Sequence, residues 1–228
     1  MNNIKNEHNF IKYVKTKDLE EYMLDKVEQY TSERKKFYQK YPYEELENLT
    51  LEQWAKGDKG EYFSNYLERR THFSGSGHLG TSKNKIFYYT NNEYRVDDKV
   101  QDFYESQGII EIEEQFIQFK KQILKLINTP IAQIKDFEFQ ELKGKNVISS
   151  KLYNLYAKTP TLSLNGAGYT KKVGKYFGIV LKDKESLQIA YEVEQKLRKF
   201  ELLKTMDLLL LHRLINKYID ELEETGKL

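Results

Sequence analysis

The chain has 228 residues, 39% of them hydrophobic and 32% charged, with a formal net charge of +2 and no cysteine. This length can bury a substantial core, and the missing cysteines exclude disulfides, thiolate zinc sites and cysteine nucleophiles. The start of the chain is polar and the apolar run LLLL at 208–211 is too short to span a bilayer, so we expect a soluble cytoplasmic protein without a membrane segment.

The first part of the chain is predicted to be helical. After a capping Thr16 or Asp18, apolar residues recur at helical spacing until Pro42, whose ring cannot continue a helix. A second helix is expected to begin at Thr50, which stands in capping-box register with the glutamine three residues later. Trp54 in that helix is expected to lie in the core.

The next part predicts a short helix, a glycine-rich turn and a small β element. The segment EYFSNYLERRT at 61–71 has helical spacing and leads into THFSGSGHLGTSKNK at 71–85. KIFYYT at 85–90 is rich in residues that favour strands, and the NNEY that follows is typical of a hairpin turn. Asp97 and Asp98 are then expected to cap a short helix.

The second half predicts further helices. A long apolar stripe runs from Ile109 to Ile127 and ends at Pro130, and NVISSKLYNLYAKTP predicts another helix. TLSL is interpreted as a short strand or an extended segment, and GAGYTKKVGKYFG as a helix broken near Gly174. From Lys184 onward a nearly continuous apolar face predicts helices up to the end of the chain.

These elements predict an α+β fold that is predominantly helical, with a small β element near residues 84–95 and a long helical C-terminal region. The expected organisation is an N-terminal helical segment at 1–47, a mixed α+β recognition region at 48–183, and C-terminal helices at 184–228 that pack on it. A single domain containing all three segments is the alternative.

Three glycines, Gly75, Gly77 and Gly80, match the G-x-G-x-x-G pattern of dinucleotide-binding folds. In those folds the pattern follows a buried strand and opens a helix, whereas here it follows a helix and precedes a strand. The context therefore favours a flexible turn over a nucleotide site. His72 and His78 lie six residues apart with no nearby acid to complete a ligand set, so we predict no metal, no cofactor and no catalytic constellation.

The segment from Lys120 to Lys184 is strongly basic, because it contains 13 lysines and only four acidic residues. Such asymmetry is usual for a surface that meets phosphate, and lysines interleaved with tyrosines can both neutralise phosphates and stack on bases. The predicted DNA-binding residues are Arg69, Arg70, Lys83, Lys85, Lys143, Lys145, Tyr169, Lys171, Lys172, Lys175 and Tyr176. The same pattern also fits buried tyrosines beside solvated lysines and, at the two arginines, a positively charged helix end.

The segment LTLEQWAKGDKGEYFSNYLERRTHFSGSGHLGTSKNKIFYY resembles a block upstream of the AAA+ GTPase in many McrB-like subunits of modification-dependent restriction systems. In both, an aromatic helix ending in leucine and glutamate leads into a glycine- and serine-rich turn and a short strand. SSKLYNLYAKTPTLSL is similar to the family's later helix that ends in an aromatic pair. The likeness covers roughly residues 48–180. The departures are a longer turn, a missing tryptophan-type aromatic after Tyr66, SLNGAG in place of a more apolar continuation, and no GTPase motif.

The resemblance implies the recognition region of such a system without its GTPase domain. It would be a non-enzymatic module that binds double-stranded, modified DNA and acts with GTPase and nuclease subunits. A modified base would need an aromatic pocket for stacking. Two alternatives stay open: a helical adaptor that docks a protein partner through the apolar stripe from Leu187 to Tyr218, and an enzyme that binds a phosphorylated small molecule at the 75–80 glycine loop.

Overall fold

The computed structural model describes residues 3–56, 61–69, 71, 85–134, 146–164, 166–182 and 184–228. These residues form eleven α-helices and one two-stranded antiparallel sheet, which confirms the predicted helical α+β class. The helices before the sheet are α1 (Asn3–Lys15), α2 (Leu19–Lys40), α3 (Leu51–Ala55) and α4 (Phe63–Arg69). The strands are β1 (Phe87–Thr90) and β2 (Glu93–Val96). The helices after the sheet are α5 (Asp98–Glu105), α6 (Ile112–Asn128), α7 (Asn146–Tyr156), α8 (Gly166–Tyr176), α9 (Ser186–Leu197), α10 (Glu201–Lys204) and α11 (Leu208–Glu224).

Among the residues so described, no helix combines the length and the apolar character needed to cross a membrane.

Local sequence signals set several of these boundaries. Helix α2 ends at Lys40, two residues before Pro42. The predicted capping box of α3 is confirmed, because Gln53 N donates to Thr50 Oγ1 over 3.1 Å and Thr50 N donates to Gln53 Oε1 over 2.9 Å. Such reciprocal bonds satisfy backbone N–H groups that the first turn of a helix leaves without partners.

The β hairpin forms where the sequence predicts it. Asn91 and Asn92 have φ values of 50° and 62°, as a two-residue type I′ turn requires. The strands pair in the register Phe87↔Val96, Tyr88↔Arg95, Tyr89↔Tyr94 and Thr90↔Glu93. Phe87 and Val96 are buried at the base of the hairpin, so one face of the sheet is attached to the core.

The buried apolar residues form two clusters, which we call core A and core B. Core A contains the sheet, the end of α2 and helices α3 to α7, and its centre is aromatic. The Trp54 ring lies 5.1 Å from the rings of both Phe63 and Phe119, and its Nε1 donates to the Lys85 carbonyl over 3.2 Å. Core B contains α1, the extended segment 161–164 and helices α8 to α11.

Helix α9 belongs to both cores. Leu187 packs in core A, whereas Ile189 and Val193 pack in core B. Between them Gln188 Nε2 donates to the Ile134 carbonyl at the end of core A. The cores also group the chain differently from the predicted segments, because α1 packs with the C-terminal helices. The predicted boundaries at 47/48 and 183/184 stay a prediction.

Helix α8 continues through Gly174, where a break was expected. A β-carbon at Gly174 would lie 2.5 Å from Ile189 Cγ2 and 2.9 Å from Leu181 Cδ2. Such distances are far inside van der Waals contact, so the glycine allows α8 and α9 to pack closely. The role of Gly174 is therefore helix packing, and the helix hydrogen bonds pass through it.

We expect Gly174→Ala to lower the free energy of unfolding by about 1–3 kcal/mol, because the new methyl group overpacks the contact with α9. Gly168→Ala, in the same helix, is the matched control, because a β-carbon there meets no atom within 4 Å. It should raise the free energy of unfolding by about 0.5–1 kcal/mol through helix propensity. Urea unfolding of both variants measures this, and equal effects of the two substitutions would contradict the packing role.

Candidate nucleic-acid interface

Helix α8 separates its apolar and basic residues onto opposite faces. Val173, Gly174 and Phe177 face inward and are buried in core B. Lys171 and Lys175, one helical turn apart, are exposed on the opposite side. The interleaving of lysine and tyrosine in the sequence is thus the alternation expected of an amphipathic helix.

The two tyrosines of α8 contact other helices of the protein. Tyr176 shares a hydrogen bond with Tyr218 on α11, with 2.8 Å between the hydroxyl oxygens, and its carbonyl accepts from Asn6 Nδ2 of α1 over 2.8 Å. Tyr169 is half-buried, and burial together with the nearby Asp220 and Glu223 carboxylates raises the pKa of its hydroxyl. Both rings therefore pack against core B, as the alternative interpretation of this segment expected.

The three lysines of α8 differ in their surroundings. Lys172 forms an ion pair with Glu223 on α11, and its ammonium lies 5.9 Å from the centre of the Tyr169 ring. Lys171 and Lys175 are exposed, and neither forms an ion pair with another residue that the structure describes. These two ammonium groups are the part of the predicted DNA-binding set that is presented to solvent on one surface.

The basic group around the glycine turn is divided by the structure. Arg69 is exposed at the last residue of α4. Lys85 is buried, with its Nζ 3.0 Å from Glu68 Oε2 and 5.2 Å from the centre of the Tyr62 ring. Loss of one partner from a buried ion pair leaves an uncompensated charge in the interior and is strongly destabilising. Lys85 therefore stabilises the fold and is not part of the exposed basic surface. Arg70, Lys83, Lys143 and Lys145 lie outside the described residues, as does the 75–80 glycine loop.

A second lysine near α4 was not singled out by sequence reasoning. Lys151 on α7 is completely buried, and its Nζ donates to the Leu67 carbonyl over 3.0 Å and to Thr71 Oγ1 over 3.1 Å. It thus satisfies a carbonyl in the last turn of α4, where a positive charge also complements the helix dipole. The sequence carried a signal, because Lys151 lies midway between Val147 and Leu155 on the apolar stripe of α7.

Burial lowers the pKa of two buried basic side chains, Lys151 and His212. Burial lowers the pKa of Lys151 to about 8, although the Glu68 carboxylate partly opposes this. Burial and the neighbouring Arg213 lower the pKa of His212 on α11 to about 4, so this imidazole is neutral at pH 7. Its Nε2 lies 2.9 Å from Asn216 Nδ2, which fits a structural rather than a catalytic histidine.

The described residues contain no group of three or more histidine, aspartate or glutamate side chains arranged to hold a metal ion. His72 and His78 of the sequence analysis lie outside those residues. The described part of α8 therefore offers positive charge, in the form of two exposed ammonium groups on a helix that packs on core B.

Comparisons with protein families, with curated proteins and with solved structures found no match to this chain.

We expect the contribution of Lys151 to the free energy of unfolding to change with pH. Its folded pKa of about 8 lies below the ordinary value of 10.5, so the unfolded chain binds more protons between these pH values. Stability should then rise with pH across this window, by up to about 3 kcal/mol, relative to a Lys151→Met variant. Unfolding free energies of both proteins from about pH 7 to 10 measure the difference.

Lys158→Met is the control for removing one exposed lysine from the chain. Curves for wild type and Lys151→Met that stay parallel across the window would contradict the burial of this ammonium group.

Proposed function

We propose that the protein is a non-enzymatic DNA-binding module in which α8 supplies phosphate contacts. The observation that carries this proposal is the pair Lys171 and Lys175, exposed one turn apart on a rigid helix and without ion-pair partners among the described residues. Side chains four residues apart on a helix lie about 5–6 Å from each other, so both ammonium groups can reach the backbone of one DNA strand.

The charge around α8 supports the same proposal. Residues 142–182 contain eight lysines and no acidic residue. Of these, Lys151 is buried and Lys172 is paired, whereas Lys158 and Lys182 are exposed like the central pair. An excess of positive charge attracts polyanions over distances beyond direct contact, and this attraction falls with added salt.

The resemblance to McrB-like recognition regions narrows the proposal. On that basis the ligand is double-stranded DNA that carries a modified base, and the partners are the GTPase and nuclease subunits of a restriction system. Restriction by such a system would then depend on this module for target choice.

The adaptor alternative has less support from the packing. It required the apolar stripe from Leu187 to Tyr218 to be partly exposed in the isolated chain. Leu187, Val193, Leu214 and Tyr218 are instead buried within the protein, and most of the stripe forms core B. Most of the stripe is therefore covered by this chain's own helices, whereas Leu202 is 41% exposed.

DNA binding is tested by fluorescence anisotropy with methylated and unmodified duplexes over a range of salt. We expect the double variant Lys171→Gln/Lys175→Gln to weaken binding to both duplexes and to reduce the slope of log K against log salt by about 2, since each lost phosphate contact removes about 0.9 from the slope. A loss of affinity that is equal for both duplexes identifies phosphate contacts, because these carry no base information.

Lys35→Gln/Lys36→Gln is the matched control, because it removes the same charge from two exposed lysines on α2. Its salt slope should stay close to the wild-type value. A wild-type protein that binds neither duplex at low salt would refute the DNA-binding proposal, and equal effects of the two double variants would refute the assignment to α8.

A further inference from the structure

A groove of about 500 Å³ runs beside the β hairpin, on the part of core A that carries no predicted DNA contact. All four residues of β2, from Glu93 to Val96, line it, so the groove follows the length of this strand. Its opposite wall is formed by Asp98 and Gln101 of α5 and by residues at the start of α6. Tyr88 of β1, which pairs with Arg95, also lines the groove.

The backbone of β2 has hydrogen-bonding groups that point away from β1. In a hairpin with a two-residue turn, Thr90 and Glu93 form the closing hydrogen-bonded pair, and hydrogen-bonded pairs then alternate along the ladder. Asp97 N donates to the Ile86 carbonyl over 2.8 Å, which makes these two residues a hydrogen-bonded pair, as the alternation along the ladder requires. The N–H and C=O groups of Tyr94 and Val96 consequently point away from β1, and no described residue bonds them. Val96 is 5% exposed, so Tyr94 is the residue whose backbone a partner can reach more easily.

The wall opposite β2 offers an apolar contact and an unsatisfied acceptor. Ile110 is 63% exposed, which is the largest exposed fraction among the isoleucines described, and it lines the groove beside Ile112. Gln115 lies beneath them and is 1% exposed. Its Nε2 donates to the carbonyls of Ile109 and Ile110. Its Oε1 is buried and accepts no hydrogen bond from the described residues.

The charge around the groove is negative. Residues 93–114 contain eight acidic and two basic residues, a net charge of −6. Asp98 and Glu93 line the groove. Burial raises the pKa of the Tyr94 hydroxyl, and the Glu52 and Glu113 carboxylates raise it further. Arg95, the basic residue of β2, is already paired with Glu93. This surface repels nucleic acid and attracts cations.

We propose that the groove binds an extended segment of a protein partner, which adds to β2 as a third strand. The segment alternates apolar and basic side chains. Apolar side chains contact Ile110 and Ile112, basic side chains contact the acidic rim, and backbone groups pair with the outward groups of β2 at Tyr94. Addition of a strand to an open sheet edge is a general mode of peptide recognition, in which the backbone supplies affinity and alternate side chains supply specificity. This partner site does not depend on DNA binding by α8.

The probe is a fluorescent peptide of about eight residues that alternates lysine and valine, a length typical of strands. Two control peptides separate the sources of binding. One alternates glutamate and valine, and the other is the lysine–valine peptide with a methyl group on every second backbone nitrogen. We expect anisotropy to show binding of the first peptide and at least tenfold weaker binding of both controls.

The matched variants are Ile110→Lys and Ile117→Lys. Both replace an exposed isoleucine near the start of α6, but only Ile110 lines the groove, and Ile117 is 46% exposed outside it. We expect Ile110→Lys to weaken peptide binding at least tenfold and Ile117→Lys to leave it within about twofold, which corresponds to less than ~0.5 kcal/mol. Equal effects of the two variants would overturn the assignment of the site.

Tyr94→Pro tests the backbone contribution. It removes an N–H group that the hairpin does not use, so the ladder is retained, whereas Tyr94→Ala keeps this group. We expect Tyr94→Pro to abolish peptide binding and Tyr94→Ala to preserve it. Circular dichroism should show that both variants fold. Equal binding of the methylated and unmethylated peptides would overturn strand addition. The proposal would also be overturned if the protein forms a dimer without peptide and Tyr94→Pro dissociates that dimer, because the edge of β2 would then pair with a second copy of this chain.

Discussion

The close packing of α8 against α9 is the contact on which the arrangement of the second half of the chain depends. Gly174 allows the two helices to approach until Ile189 fills the space of a missing side chain. Helix α9 is buried along most of its length and joins core A to core B through Leu187 and Gln188. Because α9 is internal, the surface of this region is formed by α8, whose outward residues are lysines.

Charge is distributed over the molecule according to the two cores. The described lysines of α8 lie over core B, whereas the acidic residues of 93–114 lie around the hairpin edge of core A. The lysines that enter the interior are bonded there, Lys85 to Glu68 and Lys151 to a helix carbonyl. Burial of either ammonium without such partners would cost several kcal/mol, on the order of the stability of a whole domain. Among the described residues, the surface includes the basic face of α8 and the acidic groove beside β2, which we propose as sites for a polyanion and a cationic peptide respectively.

Much of the fold could be predicted where a residue acts on its own neighbours in the chain. Pro42 ended α2, Thr50 and Gln53 capped α3, and Asn91 and Asn92 turned the hairpin, all through local backbone chemistry. The expected break at Gly174 was wrong because the reason for that glycine is Ile189, fifteen residues away in sequence and adjacent only in the folded chain. The site was predicted less completely for the same reason. Lysine composition marked the right region, but only tertiary packing separated exposed Lys171 and Lys175 from buried Lys85 and Lys151.

The central claim is that the fold sorts the lysines and that DNA meets the exposed set on α8. Acetylation by an amine-reactive ester, followed residue by residue with mass spectrometry, tests both parts at once. In the free protein Lys171 and Lys175 should react fast and Lys85 and Lys151 slowly. With saturating duplex at low salt, Lys171 and Lys175 should become protected while Lys35, Lys36 and Lys99 keep their rates. Unchanged reactivity of Lys171 and Lys175 in the DNA complex, or protection at Lys99 beside the acidic groove instead, would contradict the account.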